Sequence, residues 1–478
     1  MSATSHAQNP RGALRAAAAA LVFMLVLGCG GAPKPQIDWT FRAGTNTVLP
    51  VDTRIKTGTL SNGLKYFILP HKKPEKRALL WLAVDAGSNL EDEDQRGLAH
   101  FLEHMAFNGT ERFKKQAIID FMERIGMRFG ADLNAHTSFD ETVYKLHLPT
   151  DDAELLSKGF EILGQWASAI ALEPVEIHKE RGVVLEEWRT RLGAQHRVMN
   201  EQLQVLLAGS RYADRLPIGE PSIIKSAARP AFARFYRDWY RPNLMAVVVV
   251  GDIDADDIEA CIKTTFGGLA NPTKPRPRPV FQVPHHAGTS VVRSTDKELP
   301  GTQIQIIYKR PRRLLRTAKQ YEREMREQLC VMMLNDRLRE LAQRPSAPFL
   351  AASAASIRSL RTLDMFVLTA AVKSDGVAAG VRALAHEVER VKRHAFGAVE
   401  MNRAKRALLK AVRIAYLARS KRRGEQFARE ILRHHFMGEA MPGLRIELQL
   451  TEAMVNEVTL AHVKRVVSQW GASDDRII

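Results

Sequence analysis

A chain of 478 residues is too long for one ordinary core and long enough for two domains of roughly 200 residues each. Hydrophobic residues at 45% and charged residues at 26% exclude a disordered or fibrous chain. The formal charge of +17 admits nucleic acid, an anionic membrane surface or an acidic partner without choosing among them; the cations recur at helical spacing, as in Arg403-Ala404-Lys405-Arg406-Ala407-Leu408-Leu409-Lys410, which reads as solvated helix face.

At the N-terminus, Arg11 and Arg15 precede an apolar run from Ala16 to Leu27, short for a membrane span and suited to a signal-peptide core, so the chain is expected to be exported. The run ends Leu25-Val26-Leu27-Gly28-Cys29-Gly30, which resembles a bacterial lipobox with Cys29 as the lipidated residue. The expected layout is a signal peptide at 1–28 and a tether at 29–51 that leaves a globular body floating off the envelope membrane on the periplasmic side. Cys261 and Cys330, both in apolar helical contexts, are expected as buried thiols rather than a disulfide.

Apolar alternations at 56–60 and 64–69 flank Ser61-Asn62-Gly63, a hairpin signal. Leu79 to Val84 predicts a strand. The acidic turn Glu91-Asp92-Glu93-Asp94 follows, placed to cap a helix that carries His100 and His104 and stops near Asn108-Gly109. Helical periodicity marks 116–125, 153–170 and 174–192, paired strands are expected over 131–148, and Met245 to Val250 reads as a fully apolar strand. A proline-rich stretch between Asn271 and Pro284 predicts a linker at 269–288 between one domain at 52–268 and a second at 289–478. The second repeats the order: a strand (302–308), a helix (319–341), a strand (365–372) and long helices from 377 to 436. In the first domain Trp239 precedes the strand at Met245 by six residues; in the second Trp470 precedes Arg476 by six. By that alignment the last strand is only begun, and the chain is expected to stop inside a domain that originally continued. The predicted fold class is α+β, two homologous domains each built on a mainly antiparallel sheet packed with helices.

On a helix, residues four apart share a face, so His100 and His104 can present two imidazoles to one ion with Glu103 beside them. Neutral imidazoles bind zinc, and a nearby carboxylate can take a proton from water. A catalytic zinc needs a third protein ligand. In Glu180-Arg181-Gly182-Val183-Val184-Leu185-Glu186-Glu187-Trp188, Glu180 and Glu187 are two turns apart on one face. Glu187 is the chosen ligand, with Glu186 the alternative, and Glu180 is expected to orient a ligand from behind.

Gly97 to Thr110, the segment from Glu180 to Glu187, and Asn134-Ala135-His136-Thr137-Ser138-Phe139-Asp140-Glu141-Thr142-Val143-Tyr144 together resemble the pitrilysin and insulin-degrading-enzyme family, to which mitochondrial processing peptidases also belong. The resemblance implies one Zn2+ per chain on His100, His104 and Glu187, Glu103 as general base, and Asn134 and Ala135 holding the backbone of a peptide added to a strand edge. It implies peptide-bond hydrolysis. Active members close a chamber with a second half that supplies an Arg and a Tyr opposite the zinc. This sequence shows no copy of that pair, so a C-terminal half or partner subunit is expected, without which the chain would be nearly inactive. A non-catalytic scaffold subunit is the competing function. Nucleic-acid binding has no reading motif behind it and sits poorly with export.

Overall fold

In a computed structural model the described residues are 44–191 and 193–478. The apolar run from Ala16 to Leu27 and Cys29 lie outside them. The first six strands are β1 (Lys56–Thr59), β2 (Lys65–Pro70), β3 (Arg77–Val84), β4 (Leu133–Thr137), β5 (Thr142–Pro149) and β6 (Met245–Gly251). They form one sheet in the order β1-β2-β6-β3-β5-β4, antiparallel except for the β2–β6 pair. The turn after β1 takes Gly63 at φ 90°, a left-handed conformation that glycine enters without steric cost. Asn62 closes it by accepting a hydrogen bond from Leu64 N at 3.1 Å.

The second sheet consists of β7 (Thr289–Ser290), β8 (Thr302–Pro311), β9 (Ala351–Arg358), β10 (Leu363–Val372) and β11 (Arg476–Ile477), in the order β7-β11-β8-β10-β9. Its topology repeats β2-β6-β3-β5-β4, down to the parallel pair β7–β11 in the place of β2–β6. β11 therefore occupies the place of β6, as the equal spacing after Trp239 and Trp470 anticipates. The fold is mixed α+β, two related domains with antiparallel-rich sheets and helices. β9 was not expected from the sequence: its run Ala-Ala-Ser-Ala-Ala-Ser has low intrinsic strand preference, and its pairing to β10 decides its state.

Both sheets are covered on both faces, which is why β3 and β6 read as continuous apolar runs instead of alternating with polar residues. Leu80, Leu82, Tyr144, Leu146 and Val249 face helices of their own domain, including Leu98–Asn108 and Arg229–Trp239. Leu79, Trp81, Val143 and Val248 face the opposite way and pack against Phe427, Ala428, Ile431 and Leu432 on the helix Gly424–Met437, which lies between β10 and β11 in the chain. The exchange is reciprocal. Leu206, Leu207, Tyr212 and Ala213 of the first domain pack on Met365, Val367 and Ile477 of the second sheet. Each fully buried apolar side chain of this size contributes about 1.5–3 kcal/mol before conformational costs, so these shared cores hold the halves together.

The proline-rich segment is pinned rather than free. Arg276 Nη2 bonds Asp92 at 2.7 Å, and Arg278 Nε donates to the carbonyl of Asp85 at 2.7 Å. Cys330 is buried and Cys261 half-buried, and both are unpaired. No helix among the described residues is long and apolar enough to cross a membrane.

Candidate metal centre

The helix Leu98–Asn108 lies on the first sheet with its motif face toward the helix Pro174–Thr190. Its entry is set by two features. Gly97 sits at φ 104°, and a side chain there would also collide with the backbone of Gly219. Glu91, fully buried, accepts hydrogen bonds from Gly97 N at 3.0 Å and Ala99 N at 2.8 Å, satisfying amides that the helix itself leaves open. The acidic turn thus serves the helix through its first residue; Asp92, anticipated as part of the same cap, instead caps a separate turn at 93–95.

His100 and His104 meet edge to face, ring centroids 4.7 Å apart, with their Nε2 atoms separated by 3.3 Å. Glu187 Oε2 lies 3.2 Å from His104 Nε2 and 3.6 Å from His100 Nε2. The other oxygen of Glu187 is held by Arg191. His104 Nδ1 is engaged by Glu180 Oε1 at 2.8 Å, which fixes the ring and leaves Nε2 to face the cluster. Glu186 turns away, paired with Arg189 at 2.7 Å and exposed. The structure thus gathers His100, His104 and Glu187, with Glu180 behind them, and leaves Glu186 outside.

The fit to zinc is testable on these distances. Four ligands in a tetrahedron at about 2.0–2.1 Å from zinc sit roughly 3.3 Å from one another. The observed edges of 3.3, 3.2 and 3.6 Å form such a face. Nitrogen, nitrogen and carboxylate oxygen are a donor set that zinc accepts, so the residues fit the ion.

Electrostatics agree with the crowding. Burial, together with the charge of His104, pushes His100 down to about 4. Burial would lower His104 as well, but its hydrogen bonds to Glu180 and Glu187 outweigh that and raise it to about 9. The bond to His104 brings Glu187 down to about 2 against the opposing effect of burial.

Glu103, 8% exposed, points from the same helix toward β4, where Thr137 Oγ1 donates to its Oε2 at 2.7 Å. Burial raises this carboxyl to about 7, with the Thr137 bond acting against the rise. Sequence reasoning assigned no role to Thr137. Its signal was available in the alternation of the strand, because Thr137 shares a face with Leu133 and Ala135.

β4 is the outer strand beside this helix. Asp132 accepts from His147 N, so the even-numbered residues bond to β5 while Ala135 and Thr137 turn their main-chain groups to the open edge. Asn134 does not reach toward the cluster. Its side chain donates to Gly130 O at 2.9 Å and accepts from Ala135 N at 2.8 Å, so it guards one of the edge amides.

Residues 66–208 match the family described as Insulinase (Peptidase family M16), and residues 227–408 match the Peptidase M16 inactive domain. The chain is 36% identical over 409 residues to the zinc protease PQQL-like of Arabidopsis thaliana, covering 85% of this chain and 40% of that one. It is 33% identical over 359 residues to the probable zinc protease PqqL of Escherichia coli, covering 75% of this chain and 38% of that one. It thus spans less than half the length of these relatives. The crystal structure of the first half of the periplasmic protease PqqL from Escherichia coli superposes with a TM-score of 0.85 at 29% identity, covering 90% of this chain and 92% of that one.

Proposed function

The chain belongs to peptidase family M16, the insulinase family, and from that premise we propose that it is the zinc-binding half of an exported metalloendopeptidase. The observation that carries this reading is the triangle of His100 Nε2, His104 Nε2 and Glu187 Oε2 beside a buried carboxylate to which no cation is bonded among the described residues. Zinc bound there supplies Lewis acidity, lowering the pKa of a water and polarising a peptide carbonyl. Glu103 takes the proton of the attacking water at the carboxylate oxygen that Thr137 leaves free, and passes it to the departing amine. Glu180 holds His104 in the orientation that offers Nε2. The burial of Glu103 against β4 keeps the proton-accepting group out of bulk water.

Substrate is an extended peptide that adds to β4 through the Ala135 carbonyl and the Thr137 amide, taking over the Ala135 amide if Asn134 swings aside. The relatives' greater length supports a second half that completes the enclosure and supplies donors to the carbonyl oxygen. The Escherichia coli relative is a periplasmic protease, which supports the export reading of residues 1–28.

Metal analysis of the purified chain tests the centre directly. One zinc per chain is expected in the parent, with near-complete loss in His104→Ala and Glu187→Ala. Zinc far below one per chain, unchanged by either substitution, would remove the basis for the reading and favour a scaffold subunit.

A further inference from the structure

The helix Ala398–Leu417 ends in solvent with Ile414 54% and Leu417 73% exposed. The turn that follows, 418–423, is tied to the β2–β3 loop at its end: Gly424 N donates to Lys73 O at 2.9 Å, and the His71 side chain contacts the carbonyl of Arg422 through Nε2 at 2.5 Å. These two segments form one corner of the protein. Lys72 and Lys76 from the loop and Lys421 and Arg423 from the turn are exposed there and make no ion pair among the described residues. Of the acids at the same corner, Glu75 and Glu430 are taken by Lys73 and Arg422, whereas Asp252 accepts from the Lys76 amide and Glu425 lies beside the turn. The result is a surplus of cations next to a helix end that carries two exposed apolar side chains.

We propose that this corner docks on the surface of an anionic phospholipid bilayer, Ile414 and Leu417 entering the headgroup layer while Lys72, Lys76, Lys421 and Arg423 lie against the phosphates. A protein interface is the poorer fit, because a stable one buries roughly 800 Å² per partner around an apolar centre, whereas two apolar tips followed by a basic turn match an interfacial membrane contact. Each Lys or Arg near an anionic surface adds to the attraction, and a single acyl chain gives only marginal anchoring unless a second signal such as a polybasic patch assists it. A lipidated Cys29 would be that first signal. The Gly424–Met437 helix next to this corner covers the sheet face opposite the motif helix, so a chain seated this way turns its metal centre away from the lipid.

The test uses the full chain with Cys29→Ser and Cys261→Ser, carrying an environment-sensitive fluorophore on Ser420→Cys. With vesicles of phosphatidylcholine containing about one third phosphatidylglycerol, the emission shifts to the blue, and with phosphatidylcholine alone it does not. Adding Lys421→Glu and Arg423→Glu weakens the response on the order of tenfold, as does raising the salt. Leu417→Ser, which leaves the charges in place, reduces the blue shift. Equal emission on both kinds of vesicle, or a response indifferent to charge reversal, overturns the proposal. A shift that appears only on adding the C-terminal half of the Escherichia coli relative overturns it in favour of a subunit contact.

Discussion

Each sheet is packed by a helix with a buried glutamate that accepts from an edge-strand hydroxyl: Thr137 donates to Glu103 at 2.7 Å, Ser356 to Glu327 at 2.6 Å. Only the remaining neighbours differ. Glu327 is bonded by Arg310 and Arg313, whose bonds and charges overcome the effect of burial and bring it down to about 2. Glu103 has no bonded cation among the described residues, and burial raises it to about 7. The same place in a repeated fold therefore yields an ionised strut in one copy and, in the other, a buried carboxyl held at about 7, the group proposed above as proton acceptor. What separates them is the presence of two guanidinium groups.

Breaking the comparison on the first side gives the largest effect. Glu103→Gln keeps the packing and the zinc but removes the acceptor, and peptide hydrolysis by the completed enzyme should fall about 10²–10⁴-fold with metal content unchanged. On the other side, Arg313→Met strips one cation from Glu327, and a buried pair broken in this way destabilises by about 3–5 kcal/mol, read by urea unfolding, while leaving zinc content as in the parent. Acid sharpens the same contrast. Because the folded pKa of Glu327 lies at about 2, below its ordinary 4.5, its contribution is present in full above about pH 4.5 and lost as the pH falls toward 2. Stability measured across that interval should drop by roughly 3 kcal/mol more in the parent than in Glu327→Gln. The smallest effects come from the two hydroxyls. Thr137→Val should lower kcat about tenfold with KM and stability little changed, and Thr137→Ser should restore it; Ser356→Ala should cost about 1 kcal/mol of stability and leave turnover alone.

Local features were legible in the sequence. The Asn62-Gly63 turn, the helix bearing His100 and His104 and its stop at Gly109 follow from short-range rules, and the spacing of Glu180 and Glu187 predicts the shared face they present. What escaped was whatever distant chain decides. β9 is a strand only because β10 lies beside it. The ion network around Glu327 joins β8, a helix and β9, and no periodicity announces such a meeting.

The exchange of covering helices changes what the proline-rich connector means. A cut between Asn271 and Pro284 would make two fragments, each with one face of its sheet stripped of its lid, and each carrying the lid the other lacks. The fragments would hold on to one another after proteolysis and aggregate if produced apart. The border visible along the chain is thus no seam in the folded body, which should melt as a single cooperative piece.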